Sequence, residues 1–139
     1  MVADRPHNSD PRHRQHVALV LVVDDDADLR RITATTLSRH GYDVVEAADG
    51  RVALACLVKW VPDLVILDLH MPRMNGWEFR AEQWELADQR LAAIPVLLLT
   101  GEAAPEHEAM RLSAAGLVLK PYEPEGLLRA VSAALRRVA

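Results

Sequence analysis

Cysteine is almost missing from this chain: Cys56 stands alone, which excludes an intrachain disulfide. It lies inside the apolar stretch Val52–Val58 and reads as a small buried thiol rather than a nucleophile. No apolar run reaches 18 residues, and the N-terminus (His7, Asp10, Arg12, Arg14) lacks the apolar core of a signal peptide. These two absences predict a cytoplasmic protein with no membrane contact. Positive charge is not in excess either: 16 Lys and Arg face 20 Asp and Glu, a net charge of −4 with the signs interspersed. Nothing is basic enough to bind nucleic acid on its own. No period of 20–50 residues repeats, which argues against a solenoid.

What remains is a chain of 139 residues, room for one domain with a core of its own. Residues 1–15 carry two prolines, three arginines and few apolar groups, and are expected to form a disordered tail before a domain at 16–139. His7, His13 and His16 read as solvated, since a mobile polar tail offers nothing to fix their rings around a metal.

Apolar runs predict strands at Ala18–Val23, Asp43–Glu46, Leu64–Leu67, Val96–Leu99 and Leu117–Leu119. Between and after them, helical spacing predicts five helices. The first places Leu29, Ile32 and Leu37 on one face and ends at His40-Gly41. The second follows Asp49-Gly50, buries Leu54, Leu57 and Val58, and stops before Pro62. The third spans about 76–91, with Trp77, Phe79 and Trp84 forming no single stripe and Arg80 interrupting the expected core face. Trp77 and Trp84 suit either a partner-binding patch or the core. The fourth runs over about 105–115 and closes at Gly116, and the last carries Leu127, Leu128, Val131, Leu135 and Val138. Strict alternation of strand and helix predicts an α/β fold, a doubly wound parallel sheet covered on both faces.

In such a sheet the C-terminal ends of all strands share one rim, where ligands bind. Four predicted strands end there in polar groups: Asp24, Asp25 and Asp26 after the first, Asp68 after Leu67, Thr100 after Leu99, and Lys120 after Leu119. Each has a bland reading when taken alone; Asp26, for example, suits a helix N-cap, with Asp28 in the first turn. Converging carboxylates repel by roughly 4 kcal/mol at about 4 Å with an effective dielectric near 20, so they await a cation or share a proton. Oxygen ligands of this kind suit Mg²⁺, with Mn²⁺ able to substitute.

The segments Val22-Val23-Asp24-Asp25-Asp26, Asp68-Leu69-His70-Met71-Pro72-Arg73-Met74-Asn75-Gly76, Leu99-Thr100-Gly101 and Leu119-Lys120-Pro121-Tyr122 resemble the receiver domain of two-component response regulators. The resemblance covers about residues 17–138 and implies a five-stranded, flavodoxin-like sheet in strand order 2-1-3-4-5. It implies that Asp68 accepts a phosphoryl group from a histidine kinase or histidine phosphotransfer protein. Asp24, Asp25, Asp68 and the backbone carbonyl of His70 would hold Mg²⁺, while Lys120 supplies a second positive charge and Thr100 a hydroxyl. Inward movement of Thr100 would then shift the face of the fourth helix, fifth strand and fifth helix, where a downstream protein docks. The Lys120–Pro121 bond resembles the family's cis peptide. By this likeness the domain is not an enzyme but a signalling switch that assists its own Mg²⁺-dependent phosphorylation and dephosphorylation.

Two positions depart from the family pattern. Leu117 stands where receivers commonly carry an aromatic residue that rotates with the threonine, and Asn75 replaces a frequent aspartate in a turn that either residue serves. His70 and Glu102, each two residues past a site residue, would flank the path of a hydrolytic water and tune the lifetime of the phosphoryl group. A haloacid-dehalogenase-like phosphatase would need a second acid where His70 stands. A flavin carrier would need phosphate-binding amides where Asp24-Asp25-Asp26 would repel the ligand. A receiver-like interaction module that works without phosphorylation remains open.

Overall fold

The computed structural model of the chain describes residues 17–136. The predicted tail, His7, His13, His16 and Val138 lie outside the described residues. The elements are β1 (Leu19–Val23), α1 (Ala27–Arg39), β2 (Asp43–Ala47), α2 (Gly50–Trp60), β3 (Leu64–Leu67), α3 (Gly76–Trp84), α4 (Gln89–Ala92), β4 (Val96–Thr100), α5 (Pro105–Arg111), β5 (Gly116–Leu119) and α6 (Pro124–Arg136). The strands pair in parallel in the order β2-β1-β3-β4-β5, as predicted.

Burial on both faces explains why the strands read as unbroken apolar runs. Leu19, Leu21, Val23, Val65, Leu67, Val96 and Leu98 point to the side covered by α2, α3 and the short helices α4 and α5. Val20, Val22, Leu64, Ile66, Leu97, Leu99 and Val118 point to the side covered by α1 and α6. Each fully buried side chain of this size stabilises the fold by about 1.5–3 kcal/mol.

The helices depart from the predicted pattern in four ways. Among the described residues there are six, because the stretch expected over 76–91 breaks into α3 and the single-turn α4. Asp88 starts α4 by accepting the Arg90 N–H at 2.9 Å, and Gln83 bonds the Leu91 and Ile94 carbonyls at 3.0 and 2.9 Å. Ile32 and Val58, expected to be buried, are 57% and 62% exposed. On α1 the inward face is Thr33, Ala34 and Leu37, small and polar residues that a search for large apolar spacing passes over. The helix expected to reach 115 ends at Arg111.

Val61 closes α2 in the left-handed region at φ 46°, donating its N–H to the Leu57 carbonyl at 3.0 Å. A β-branched side chain is strained there. Val61→Gly removes the strain at some cost in chain entropy, and is expected to raise stability by about 1 kcal/mol and the melting midpoint by about 3–5 °C. A melt that does not rise would show that contacts of the Val61 side chain outweigh its backbone strain.

Candidate functional site

The ladders run one residue past the strands and carry polar groups out onto the rim. Asp24 donates its N–H to Ala47 O at 3.1 Å, Asp68 to Val23 O at 3.0 Å and Lys120 to Thr100 O at 3.0 Å. Side chains alternate across a sheet. Asp24 therefore follows Val20 and Val22, Asp68 follows Leu64 and Ile66, and Lys120 follows Val118, all on the pleat that faces α1 and α6. Parity sets their face, and the register of the parallel strands brings these three groups to one rim. Carboxylate oxygens of Asp24, Asp25 and Asp68 lie within 4.8 Å of one another. Lys120 Nζ stands 3.3 Å from Asp24 Oδ2 and 3.4 Å from Asp68 Oδ1.

Asp24 is 1% and Asp68 7% exposed, so their charges are poorly solvated. Burial pushes the Asp68 carboxyl above the ordinary carboxylate range and Asp24 adds to the rise, while the Lys120 ammonium and the Leu69 N–H at 2.9 Å oppose it. Asp24 Oδ1 accepts the Asp26 N–H at 3.0 Å. Asp24 Oδ2, also buried, has no hydrogen-bond donor and faces the ammonium only as a charge. Three acids against one ammonium leave an excess of negative charge beside an oxygen with spare lone pairs, and this donor set fits a hard divalent cation. Asp26 caps α1 instead, accepting the Leu29 N–H at 3.1 Å, and Asp28 sits in the first turn.

Thr100 closes β4 on the opposite pleat, 1% exposed, its Oγ1 accepting the Glu102 N–H at 3.1 Å. It joins the acidic cluster through the backbone of Lys120, whose peptide with Pro121 is cis. His70 is exposed on the rim, and its Nε2 contacts Glu102 Oε1. Gly76 is held at the start of α3 by close approach: a Cβ there would come 2.5 Å from Asp68 O. The loop between them is pinned at its far side, where Arg73 Nε donates to buried Asp49 at 2.7 Å and Gly50 N–H to Met74 O at 2.9 Å. The backbone N–H of Val52, more than Arg73, lowers the Asp49 carboxyl below its usual range.

Residues 20–132 match the family described as the response regulator receiver domain. The chain belongs to that family. The receiver resembles the chemotaxis response regulator CheY4 of Vibrio cholerae at 38% identity and a TM-score of 0.77, over 86% of this chain and 99% of that one. It is 37% identical over 120 residues to the DNA-binding dual master transcriptional regulator RpaA of Synechocystis sp., covering 85% of this chain and 49% of RpaA. It is 32% identical over 120 residues to the phosphate regulon transcriptional regulatory protein PhoB of Pseudomonas aeruginosa, covering 85% and 52%. The receiver spans about half the length of the curated relatives it matches. No helix among the described residues is long and apolar enough to cross a membrane.

Against this family pattern, Leu117 is a half-buried residue packed on the α2–α3 side of the sheet, with neither ring nor hydroxyl to offer. Asn75 caps α3 and forms a reciprocal capping box with Glu78. Cys56 is partly buried, and burial raises its thiol. The two tryptophans make no common patch. Trp77 packs against the core and bonds Glu108, whereas Trp84 is 44% exposed with Arg80 stacked 4.9 Å from its ring centre.

Three residues that fix the surrounding elements, Arg30 and Tyr122 near the rim and Arg80 at the opposite edge of the sheet, were given no role by sequence reasoning. Arg30 donates to the Asp24 carbonyl at 2.8 Å and to Glu46 at 3.1 Å, fixing the first loop. Tyr122 shares a 2.6 Å hydrogen bond between its hydroxyl and Thr33 Oγ1. Arg80 is 5% exposed and bonds the carbonyls of Leu112, Ser113 and Ile94. Only Arg80 left a signal: a charged residue on an apolar face, ahead of helix ends whose carbonyls need donors.

Proposed function

We propose that this receiver is a phosphorylation switch whose acceptor is Asp68, charged by the phosphohistidine of a kinase or phosphotransfer protein. The observation that carries the reading is the burial of Asp68 between a second carboxylate and an ammonium. An Asp68 oxygen attacks phosphorus, the bond from phosphorus to the histidine nitrogen breaks, and the imidazole leaves. Asp24, Asp25, Asp68 and the His70 carbonyl are the groups that would hold Mg²⁺, which when bound supplies positive charge for the crowded phosphoryl oxygens. Lys120 Nζ, already shared between Asp24 and Asp68, is placed to pair with a phosphoryl oxygen. The Thr100 hydroxyl would trade its bond from Glu102 for one to the phosphate, pulling on the face of α5, β5 and α6. Met110 and Leu119 on that face are 80% and 50% exposed, which supports docking of a downstream protein there.

RpaA and PhoB are named as transcriptional regulators, so in a longer chain the output of such a receiver can also fall on DNA. Leu117 favours a second reading, a receiver-like module that binds its partner without phosphorylation. Acetyl phosphate added with and without Mg²⁺ separates the two by intact mass. The expected result is a gain of one phosphoryl group that requires Mg²⁺ and vanishes with a chelator. No gain from any donor would leave the module.

A further inference from the structure

Trp77 stands just past the acceptor loop, and its indole makes two contacts at once. Its Nε1–H donates to Glu108 Oε1 at 2.6 Å, crossing from α3 to the first turn of α5. Its ring meets the His70 imidazole edge-on, with centroids 5.2 Å apart and planes at 73°. His70 in turn contacts Glu102, in the loop that leads into α5. The rim beside Asp68 is thus crossed twice, once by His70 with Glu102 and once by Trp77 with Glu108. The second crossing braces the first.

Glu108 is suited to this task. Its side chain is 14% exposed, the indole N–H holds its carboxyl below the usual range, and Arg111 at 3.3 Å adds to the effect. It is a fixed acceptor for a neutral donor. The His70 side chain, by contrast, is 70% exposed, so its ring is limited only by Glu102 at Nε2 and by the Trp77 edge.

We propose that Trp77 and Glu108 are positioning residues for His70, and that through it they set how long a phosphoryl group survives on Asp68. This rests on the phosphoacceptor reading given above. In hydrolysis a water oxygen bonds to phosphorus on the side opposite the Asp68 oxygen. The bond from phosphorus to that oxygen breaks, the carboxylate returns, and phosphate leaves with the protons of the water. On this proposal the His70–Glu102 contact lies across the approach of that water. Held closed, it screens phosphorus; with its brace removed, the imidazole swings and water enters more often.

The test follows decay by intact mass, after charging with acetyl phosphate and Mg²⁺ and removal of the donor. Trp77→Phe keeps a ring edge but loses the N–H, and Glu108→Ala loses the acceptor. Both are expected to decay about two- to tenfold faster, the effect of one hydrogen bond. Glu108→Gln keeps a carbonyl acceptor and is expected to restore most of the parent lifetime. In a His70→Ala background, Trp77→Phe should add nothing. Acceleration that persists without His70, or decay unchanged in both single variants, overturns the positioning role. Failure of the parent chain to take up any phosphoryl group overturns the acceptor reading beneath it.

Discussion

Asp68→Asn is expected to take up no phosphoryl group from any donor and yet, in magnesium-free buffer at pH 7, to be more stable than the parent by about 0.5–2 kcal/mol. Burial, with Asp24 beside it, raises the Asp68 carboxyl above its unfolded value. A carboxyl with a raised folded pKa leaves stability whole below the unfolded carboxylate range, and stability falls as pH climbs through the folded value. The cost is therefore carried by the ionised form and grows as pH rises out of the ordinary carboxylate range. Asparagine keeps the shape and carries no charge to desolvate, while Lys120 retains Asp24 as its partner at 3.3 Å. Magnesium should reverse the order. Ligand at ten times its Kd stabilises the parent by about 1.4 kcal/mol, and a variant short of one carboxylate gains less. Urea unfolding at pH 7 and pH 4, with and without Mg²⁺, checks each step. If the variant is weaker than the parent in magnesium-free buffer at pH 7, the pull of Lys120 on Asp68 exceeds the cost of burying it.

Arg80→Ala is expected to cost about 3–5 kcal/mol, because it opens a void and leaves buried neutral acceptors without their donor. The guanidinium, pushed down to about 10 by burial and so charged at neutral pH, serves four acceptors. Nε bonds Leu112 O at 2.9 Å, Nη1 bonds Gln83 Oε1 at 2.8 Å and Ile94 O at 3.3 Å, and Nη2 bonds Ser113 O at 3.1 Å. Three of these are carbonyls where the chain leaves a helix. Alanine leaves them without donors and opens a void. Lysine would recover less than half of the loss, since one ammonium cannot present a planar fork to groups spread over three segments. Guanidinium denaturation reads the difference, and a loss under about 1 kcal/mol would show that water replaces the side chain.

The sheet was legible because strands buried on both faces cannot hide their composition and alternation with helices makes them parallel; their order came from the likeness to receivers. Asp24, Asp68 and Lys120 were legible for a related reason, being the first polar residues after apolar runs, where the pleat fixes their side. Periodicity failed where small or polar residues face inward. Thr33 and Ala34, not Ile32, meet the sheet on α1, and Arg80 with Gln83 occupies positions of α3 that an apolar pattern would claim. Trp77 and Glu108 lie 31 residues apart, and no local rule joins them.

Arg80 grips the chain at Leu112 and Ser113, immediately after α5, while the start of that helix rests on Trp77 and the His70–Glu102 contact. A rod secured firmly at one tip and lightly at the other cannot slide; it can only pivot. α5 is about 10 Å long, so a swing of about 10° about the Arg80 anchor carries Pro105 through nearly 2 Å. Whatever reads this receiver through α5 would therefore sense a tilt, largest at the end next to the acidic rim and vanishing at the guanidinium.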